Sequence, residues 1–325
     1  MPARGCRASP DPGVVAVKVA YLGPEGTFTH EAALALAPEG ADLVALADPT
    51  SIVRAVEEGE CDAGVLNFEN SVEGEVNASI DALVLEARHC VIAAERVLPV
   101  SFSLFRLPAD DTPLRGIASH PFALAQCRRL VADHELRHCA STAEACAWLA
   151  STEERGWGAL AAPHAGAPYE LSAVAEGVED EPGAVTRFVL VARAAPRAGG
   201  QPSRTAFAVR PARDRPGSLV RILQEFSLRH INLVSITSRP LKGALGEYFF
   251  FIECEGHLTD AVVRDAVVGV LELPMEVRFL GSFAEDGARP DRRAPAEERG
   301  LSPAVEEQAA CAFAALTELL EAEEQ

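Results

Sequence analysis

Along the first two-thirds of the chain, short apolar β-prone blocks alternate with segments of helical spacing. Val14–Leu22 reads as a strand, followed by the loop Gly23-Pro24-Glu25-Gly26-Thr27-Phe28-Thr29-His30 and an Ala/Leu-rich helix from about Glu31. Ser51–Glu57 and Ile80–Leu85 read as helices on either side of a strand at Ala63–Phe68, which leaves through Glu69-Asn70-Ser71-Val72-Glu73-Gly74. This alternation predicts βαβ units and a largely parallel sheet. A second unit opens with an alternating strand over Arg96–Phe105 and continues through Gly116–Ser119, a helix over Phe122–Ala132, a helix opened by Ser141, and Trp157–Ala162. Ser141 and Glu144 have capping-box spacing. Residues 173–192 then return toward the first unit, which predicts two lobes and a cleft between them, a common place for a small-molecule site.

Behind a stretch rich in Ala, Pro, Arg and Gly, a different order begins. Strands at Thr205–Val209, Ile231–Ile236, Gly246–Glu255 and Met275–Leu280 enclose helices at Val220–Ser227 and Leu258–Gly269. The order βαββαβ is the ferredoxin-like plan. The expected organisation is a flexible N-terminus (1–13), a two-lobed α/β domain (14–195), a linker (196–202), the βαββαβ domain (203–284) and an acidic tail (285–325). Within the first domain, lobe 1 takes about 14–95 plus 173–195, and lobe 2 takes 96–172. The tail has a helical apolar stripe over Ala304–Leu320.

Charge narrows the partners. A formal net charge of −19 argues against nucleic acid and anionic membrane surfaces, both of which are bound through concentrated Lys and Arg. No run of eighteen apolar residues and no signal-peptide pattern occurs, so the expected location is cytoplasmic. The eight cysteines are scattered without C-x-x-C pairs, which predicts reduced thiols and no zinc; Cys127, Cys146 and Cys254 read as small buried hydrophobes.

Candidate chemistry gathers at element junctions. Gly26, Thr27 and Thr29 precede a helix start, where free N–H groups and the helix dipole suit a carboxylate. The loop lacks both nucleotide-binding glycine signatures. Glu69-Asn70-Ser71 ends one strand, Ser119-His120-Pro121 ends another with Gln126 further along the following helix, and Ser141-Thr142 opens a third helix. Thr186-Arg187-Phe188 stands where a turn gives way to a buried strand. Each junction alone reads equally well as a cap or turn. Together they offer hydroxyls and amides for an anionic ligand without an evident nucleophile, metal or cofactor.

In combination these segments resemble the bacterial prephenate dehydratases. The resemblance covers about residues 15–285 and rests on Tyr21-Leu22-Gly23-Pro24-Glu25-Gly26-Thr27-Phe28, Glu69-Asn70-Ser71, Ser119-His120-Pro121 with Gln126-Cys127, Ser141-Thr142-Ala143 and Thr186-Arg187-Phe188. Further along, Pro216-Gly217-Ser218-Leu219, Ile231-Asn232-Leu233, Ser238-Arg239-Pro240 and Phe279-Leu280-Gly281-Ser282-Phe283 resemble the regulatory ACT domain of such enzymes. The resemblance implies a periplasmic-binding-protein-like catalytic domain followed by a ferredoxin-like ACT domain. It implies cofactor-free and metal-free conversion of prephenate to phenylpyruvate in phenylalanine biosynthesis. Thr186 is then the hydroxyl-assisting residue, with Glu69, Asn70, Ser71, Ser119, Gln126, Thr142, Arg187 and Thr27 binding substrate. Phenylalanine is the implied effector, at Gly217, Ser218, Leu219, Thr237, Ser238, Arg239 and Pro240, in a homodimer or homotetramer built through ACT domains.

The chain departs from the family pattern at several places. Asn67-Phe68 replace a usual Pro-Ile or Pro-Val, Phe122 replaces a common Gln, and Ala184 replaces a frequent Asn. In the ACT motif Thr237 stands where the family usually has Glu. Rival readings are an arogenate dehydratase, a decarboxylase that leaves prephenate non-aromatic, and an amino-acid-sensing two-lobed binding protein.

Overall fold

The computed structural model describes residues 17–72, 74–193, 203–213, 215–241 and 246–286. The expected N-terminal segment, the 196–202 linker and the tail helix over Ala304–Leu320 lie outside the described residues. The first lobe runs β1 (Lys18–Leu22), α1 (Phe28–Leu36), β2 (Asp42–Leu46), α2 (Pro49–Glu58), β3 (Ala63–Asn70) and β4 (Gly74–Glu75). It continues through α3 (Asn77–Asp81), a π-helical turn at Ala82–Glu86, and β5 (Val91–Pro99). The second lobe follows with β6 (Ser103–Arg106), β7 (Gly116–Ser119), α4 (Pro121–Gln126), α5 (Arg128–Val131), β8 (Glu135–His138), α6 (Thr142–Ser151), β9 (Trp157–Ala161) and β10 (Ser172–Glu176). Then β11 (Val185–Ala192) returns to the first sheet, whose order is β2-β1-β3-β11-β5 with β4 beside β3. The second sheet has the order β10-β6-β9-β7-β8.

Four expectations shift. The predicted strand over 96–105 is two strands: β5 pairs with β11 in the first sheet, while β6 pairs with β9 and β10 in the second. The chain crosses between lobes at Val100-Ser101-Phe102, where Val100 and Phe102 are buried side chains. The apolar/polar alternation Val100-Ser101-Phe102-Ser103-Leu104 runs on through the crossing and hides it. Conversely, β10 lies with the second lobe rather than the first. The helix predicted over 122–132 breaks at Cys127, whose φ of −124° and ψ of 41° are not helical. The first helix begins at Phe28, three residues ahead of Glu31, because Thr27 caps it.

The C-terminal domain is β12 (Ser203–Pro211), α7 (Ser218–Ser227), β13 (Leu233–Pro240), β14 (Tyr248–Glu255), α8 (Ala261–Glu272) and β15 (Met275–Ala284), in sheet order β13-β14-β12-β15. Its helices cover one face through Phe207, Val209, Ile222, Phe226, Ile252 and Val263. The opposite face buries Ala206, Ala208, Phe249, Phe251, Leu280 and Phe283 in one core with Phe68, Leu83, Ile92, Val189 and Val191 of the first lobe. Each fully buried Phe of this kind contributes roughly 2–3 kcal/mol of apolar burial. Backbones meet as well: a Cβ on Gly281 would stand 2.3 Å from the Ile92 carbonyl oxygen, and its φ of +131° further favours glycine. Arg278 donates to the Val84 carbonyl at 2.7 Å across the same seam. No helix among the described residues is long and apolar enough to cross a membrane.

Candidate active site

At its start β11 runs antiparallel to the end of β3, with Thr186 opposite Asn70 and Arg187 opposite Glu69. Asn70 Nδ2 donates to Thr186 Oγ1 at 2.9 Å, and Asn70 Oδ1 accepts from Val72 N–H at 2.8 Å. The second bond orients the amide, so that Thr186 accepts a hydrogen bond from Asn70 and keeps its own proton. Both side chains are buried, at 4% and 9% exposure. Ser71 closes the junction: its Oγ accepts from Val185 N–H at 2.9 Å and its N–H donates to the Val185 carbonyl at 2.9 Å.

Other predicted site residues sit at helix starts and strand ends. Thr27 Oγ1 caps α1 by accepting from His30 N–H at 3.3 Å, and donates to the Pro24 carbonyl at 2.9 Å. Ser141 caps α6 through Glu144 N–H at 3.0 Å, which leaves Thr142 as the first helical residue. The Glu144 carboxylate reaches Ala140 N–H rather than that of Ser141, so the capping box closes one residue early. These two helix starts face each other across the lobes, since a Cβ on Gly26 would lie 3.7 Å from that of Ala143. Ser119, fully buried at the end of β7, spends its proton on the Leu160 carbonyl at 2.5 Å. Gln126 is 8% exposed, and its Nε2 has no hydrogen-bond partner among the described residues. His120 is a cap: its Nδ1 accepts from Phe122 N–H at 3.2 Å, and burial lowers its pKa.

Arg187 does not share the side of the strand that carries Thr186. Its Nε donates to Glu95 at 2.7 Å, and its two terminal nitrogens donate to Glu253 of β14 at 2.8 and 2.6 Å. Burial by itself disfavours the cation, but Glu253 and then Glu95 outweigh it and raise the pKa above the ordinary arginine value. Arg204 of β12 completes the cluster, with Nη1 at 3.8 Å from Glu95 and 3.9 Å from Glu253, and Nη2 donating to Glu285 at 2.6 Å. Glu69 stands 3.6 Å from Arg187 and is 42% exposed. Glu95, Arg204 and Glu253 went unremarked in the sequence. The available signal is a lone charge inside an apolar strand, as in Phe249-Phe250-Phe251-Ile252-Glu253-Cys254.

The predicted effector residues divide along β13. Thr237 and Ser235 donate to Glu75 of β4, the latter at 2.5 Å, and Arg239 forms a bidentate pair with Asp81 of α3 at 3.0 and 2.8 Å. Ser238, between them, lines a 410 Å³ cavity with Arg210, Arg213, Glu247, Tyr248 and Phe250. Pro240 ends β13, and Gly217, with φ of 85°, precedes α7, whose first residues are Ser218 and Leu219. Thus Thr237 and Arg239 hold the first lobe, whereas Ser238 faces the cavity. Among the described residues no group of three or more His, Cys, Asp or Glu is arranged to hold a metal ion. The buried thiols of Cys90, Cys127, Cys146 and Cys254 are pushed up to about 12 by burial.

A sequence profile for prephenate dehydratase matches residues 19–196, and one for the ACT domain matches residues 212–271. The prephenate dehydratase of Amycolatopsis methanolica is 40% identical over 273 residues, which covers 82% of this chain and 88% of that protein. Among solved structures, the prephenate dehydratase of Arthrobacter aurescens in complex with L-Phe superposes with a TM-score of 0.77 at 34% identity, covering 94% of this chain and 100% of that one. The Staphylococcus aureus prephenate dehydratase superposes with a TM-score of 0.70 at 27% identity, covering 82% of this chain and 100% of that one. Together with the two-lobed fold and the βαββαβ domain packed on it, these matches lead to one conclusion: the chain belongs to the prephenate dehydratase family and carries an ACT domain.

Proposed function

We propose that the protein converts prephenate to phenylpyruvate, acting as a carbon–oxygen lyase, with Thr186 assisting departure of the hydroxyl group. The observation that carries the assignment of Thr186 is its buried hydroxyl, which accepts from Asn70 and keeps its own proton for a ligand. In the reaction the bond to the ring carboxylate breaks and releases carbon dioxide. The electron pair moves into the ring, and the ring C–O bond breaks at the opposite carbon. The departing hydroxide leaves as water after taking up one proton. Thr186 donates a hydrogen bond to that oxygen as charge grows on it, an interaction stronger in the transition state than in the ground state. A threonine hydroxyl is a weak acid, so its part is polarisation, and aromatisation supplies the driving force.

The substrate carries two carboxylates, and Arg187 is already committed to Glu95 and Glu253. The facing starts of α1 and α6 are the better anion receptors, because each side-chain cap satisfies one of the N–H groups that a helix start leaves without an intrahelical partner. Gln126 Nε2 is a further donor for a substrate oxygen. Asn70, Ser71, Ser119, Thr27 and Thr142 complete the proposed wall, whereas Glu69 stands beside Arg187 on the other face of the sheet.

The Arthrobacter relative binds L-Phe. We extend that to this chain: phenylalanine is the proposed effector of the ACT domain, with Ser238 and the cavity beside it as its nearest receptor. A homodimer or homotetramer through ACT domains and a cytoplasmic location belong to the same reading. Incubating the protein with prephenate and, separately, arogenate, and recording phenylpyruvate absorbance in alkali, tests the assignment. Turnover of prephenate to an aromatic product is expected; a non-aromatic product, or turnover of arogenate alone, would overturn it.

A further inference from the structure

Consecutive residues on both strands of the catalytic junction serve opposite faces of the sheet. Thr186 meets Asn70, while Arg187 meets Glu95 and Glu253 and lies 3.6 Å from Glu69. Strand neighbours project to opposite faces, so the register that sets Thr186 opposite Asn70 also sets Arg187 opposite Glu69. Immediately beyond, the register shifts between Arg187 and Phe188, and Phe68 is the extra residue. Phe68 packs edge-on against Phe251 of β14 at 5.5 Å. A bulge bends its strand and re-aims the side chains beside it, and this one lies under the ACT sheet.

The guanidinium fork needs that cover. Glu95, from the same sheet as Arg187, engages only Nε; both terminal nitrogens go to Glu253. Arg204, also from the ACT domain, balances the two fully buried carboxylates. We propose that Arg187 is a positioning residue, gripped by Glu253 so that the strand presents Thr186 to Asn70, and that the site is complete only with the ACT sheet docked. This rests on the dehydratase reading of Thr186.

Glu253→Gln keeps the shape of the side chain and removes its charge. The double variant Glu253→Gln with Arg204→Gln removes one charge of each sign and covers the case in which the single variant does not fold. Full-length variants and parent are compared in kcat and KM for prephenate, thermal midpoint, and amide hydrogen exchange over residues 66–72 and 184–190. The expected result is a kcat lower by about tenfold or more, KM within about threefold, and faster exchange in both segments, the pattern of an interaction realised in the transition state. A folded variant with kcat within about twofold of the parent and unchanged exchange would overturn the proposal even if its thermal midpoint fell. Failure of both variants to fold would assign the cluster to folding and overturn it too. Parent turnover judges the dehydratase reading separately, and the exchange measurement judges the role of Arg187 without it.

Discussion

Asn70 Nδ2 donates to Thr186 Oγ1 at 2.9 Å, joining residues 116 positions apart in sequence. The direction of that bond carries its meaning. Val72 N–H occupies the Asn70 oxygen, so the amide can only donate to the hydroxyl, and the hydroxyl proton stays free for a leaving group.

Removing the hydroxyl removes the assistance. Thr186→Ala is expected to lower kcat by about 100-fold to 1000-fold, the range seen when a transition-state donor is deleted, with an unchanged circular dichroism spectrum. Asn70→Asp should be more damaging than Asn70→Ala, because a carboxylate only accepts and would draw the Thr186 proton away from substrate. Phenylpyruvate formation measured in all three variants checks this; equal rates for the two Asn70 variants would contradict the bond direction.

Gln126 should trade stability for binding. Its buried Nε2 has no hydrogen-bond partner among the described residues, so Gln126→Leu relieves an unpaired polar group and is expected to be neutral or stabilising by about 1 kcal/mol. Prephenate KM should rise by about tenfold if that amide holds substrate. Thermal melts and initial rates on one preparation read both effects.

Position 237 should refuse an acidic residue. Thr237 donates to Glu75, so Thr237→Glu sets two carboxylates together and is expected to destabilise by on the order of 1–3 kcal/mol. Asp81→Asn, which removes the carboxylate charge from the bidentate Arg239 pair on the same seam, should cost about 1–2 kcal/mol. A lower thermal midpoint in both variants, recovered for Thr237→Glu by adding Glu75→Gln, is the expected signature.

Acid should weaken the fold in a defined window. Burial alone would raise the Glu57 carboxyl, but N–H donation from His89 and Cys90 overrides it and lowers the pKa from 4.5 to about 2. Asp110 falls from 3.8 to about 2, chiefly through Gly156 N–H, with Thr112 and Arg106 adding to it. Both folded-state values lie below the unfolded ones, so the stabilisation is complete above the ordinary carboxyl values. It is lost as pH falls from about 4.5 toward 2. Urea midpoints measured across that range should decline, and Glu57→Gln with Asp110→Asn should flatten the slope.

Much of the architecture was legible from period alone, because helical and strand spacing reflect local geometry. The glycine loop into α1, the Ser141 start of α6 and the βαββαβ order all required only local pattern. The lobe crossing at Val100-Ser101-Phe102 was not legible, because the apolar/polar alternation runs through it from one strand into the next. Nor was the break at Cys127, where a buried thiol carries no helix-stop signal.

Thr186 and Arg187 divide the matter most sharply. The sequence by itself determined that a hydroxyl and a guanidinium stand where a turn gives way to a buried strand, and it offered both to one substrate. Only the tertiary structure decided which face holds Asn70 and which is covered by Glu253, 66 residues further on. Strand alternation is a property of the backbone, whereas the chemistry of each face belongs to whatever distant segment packs against it.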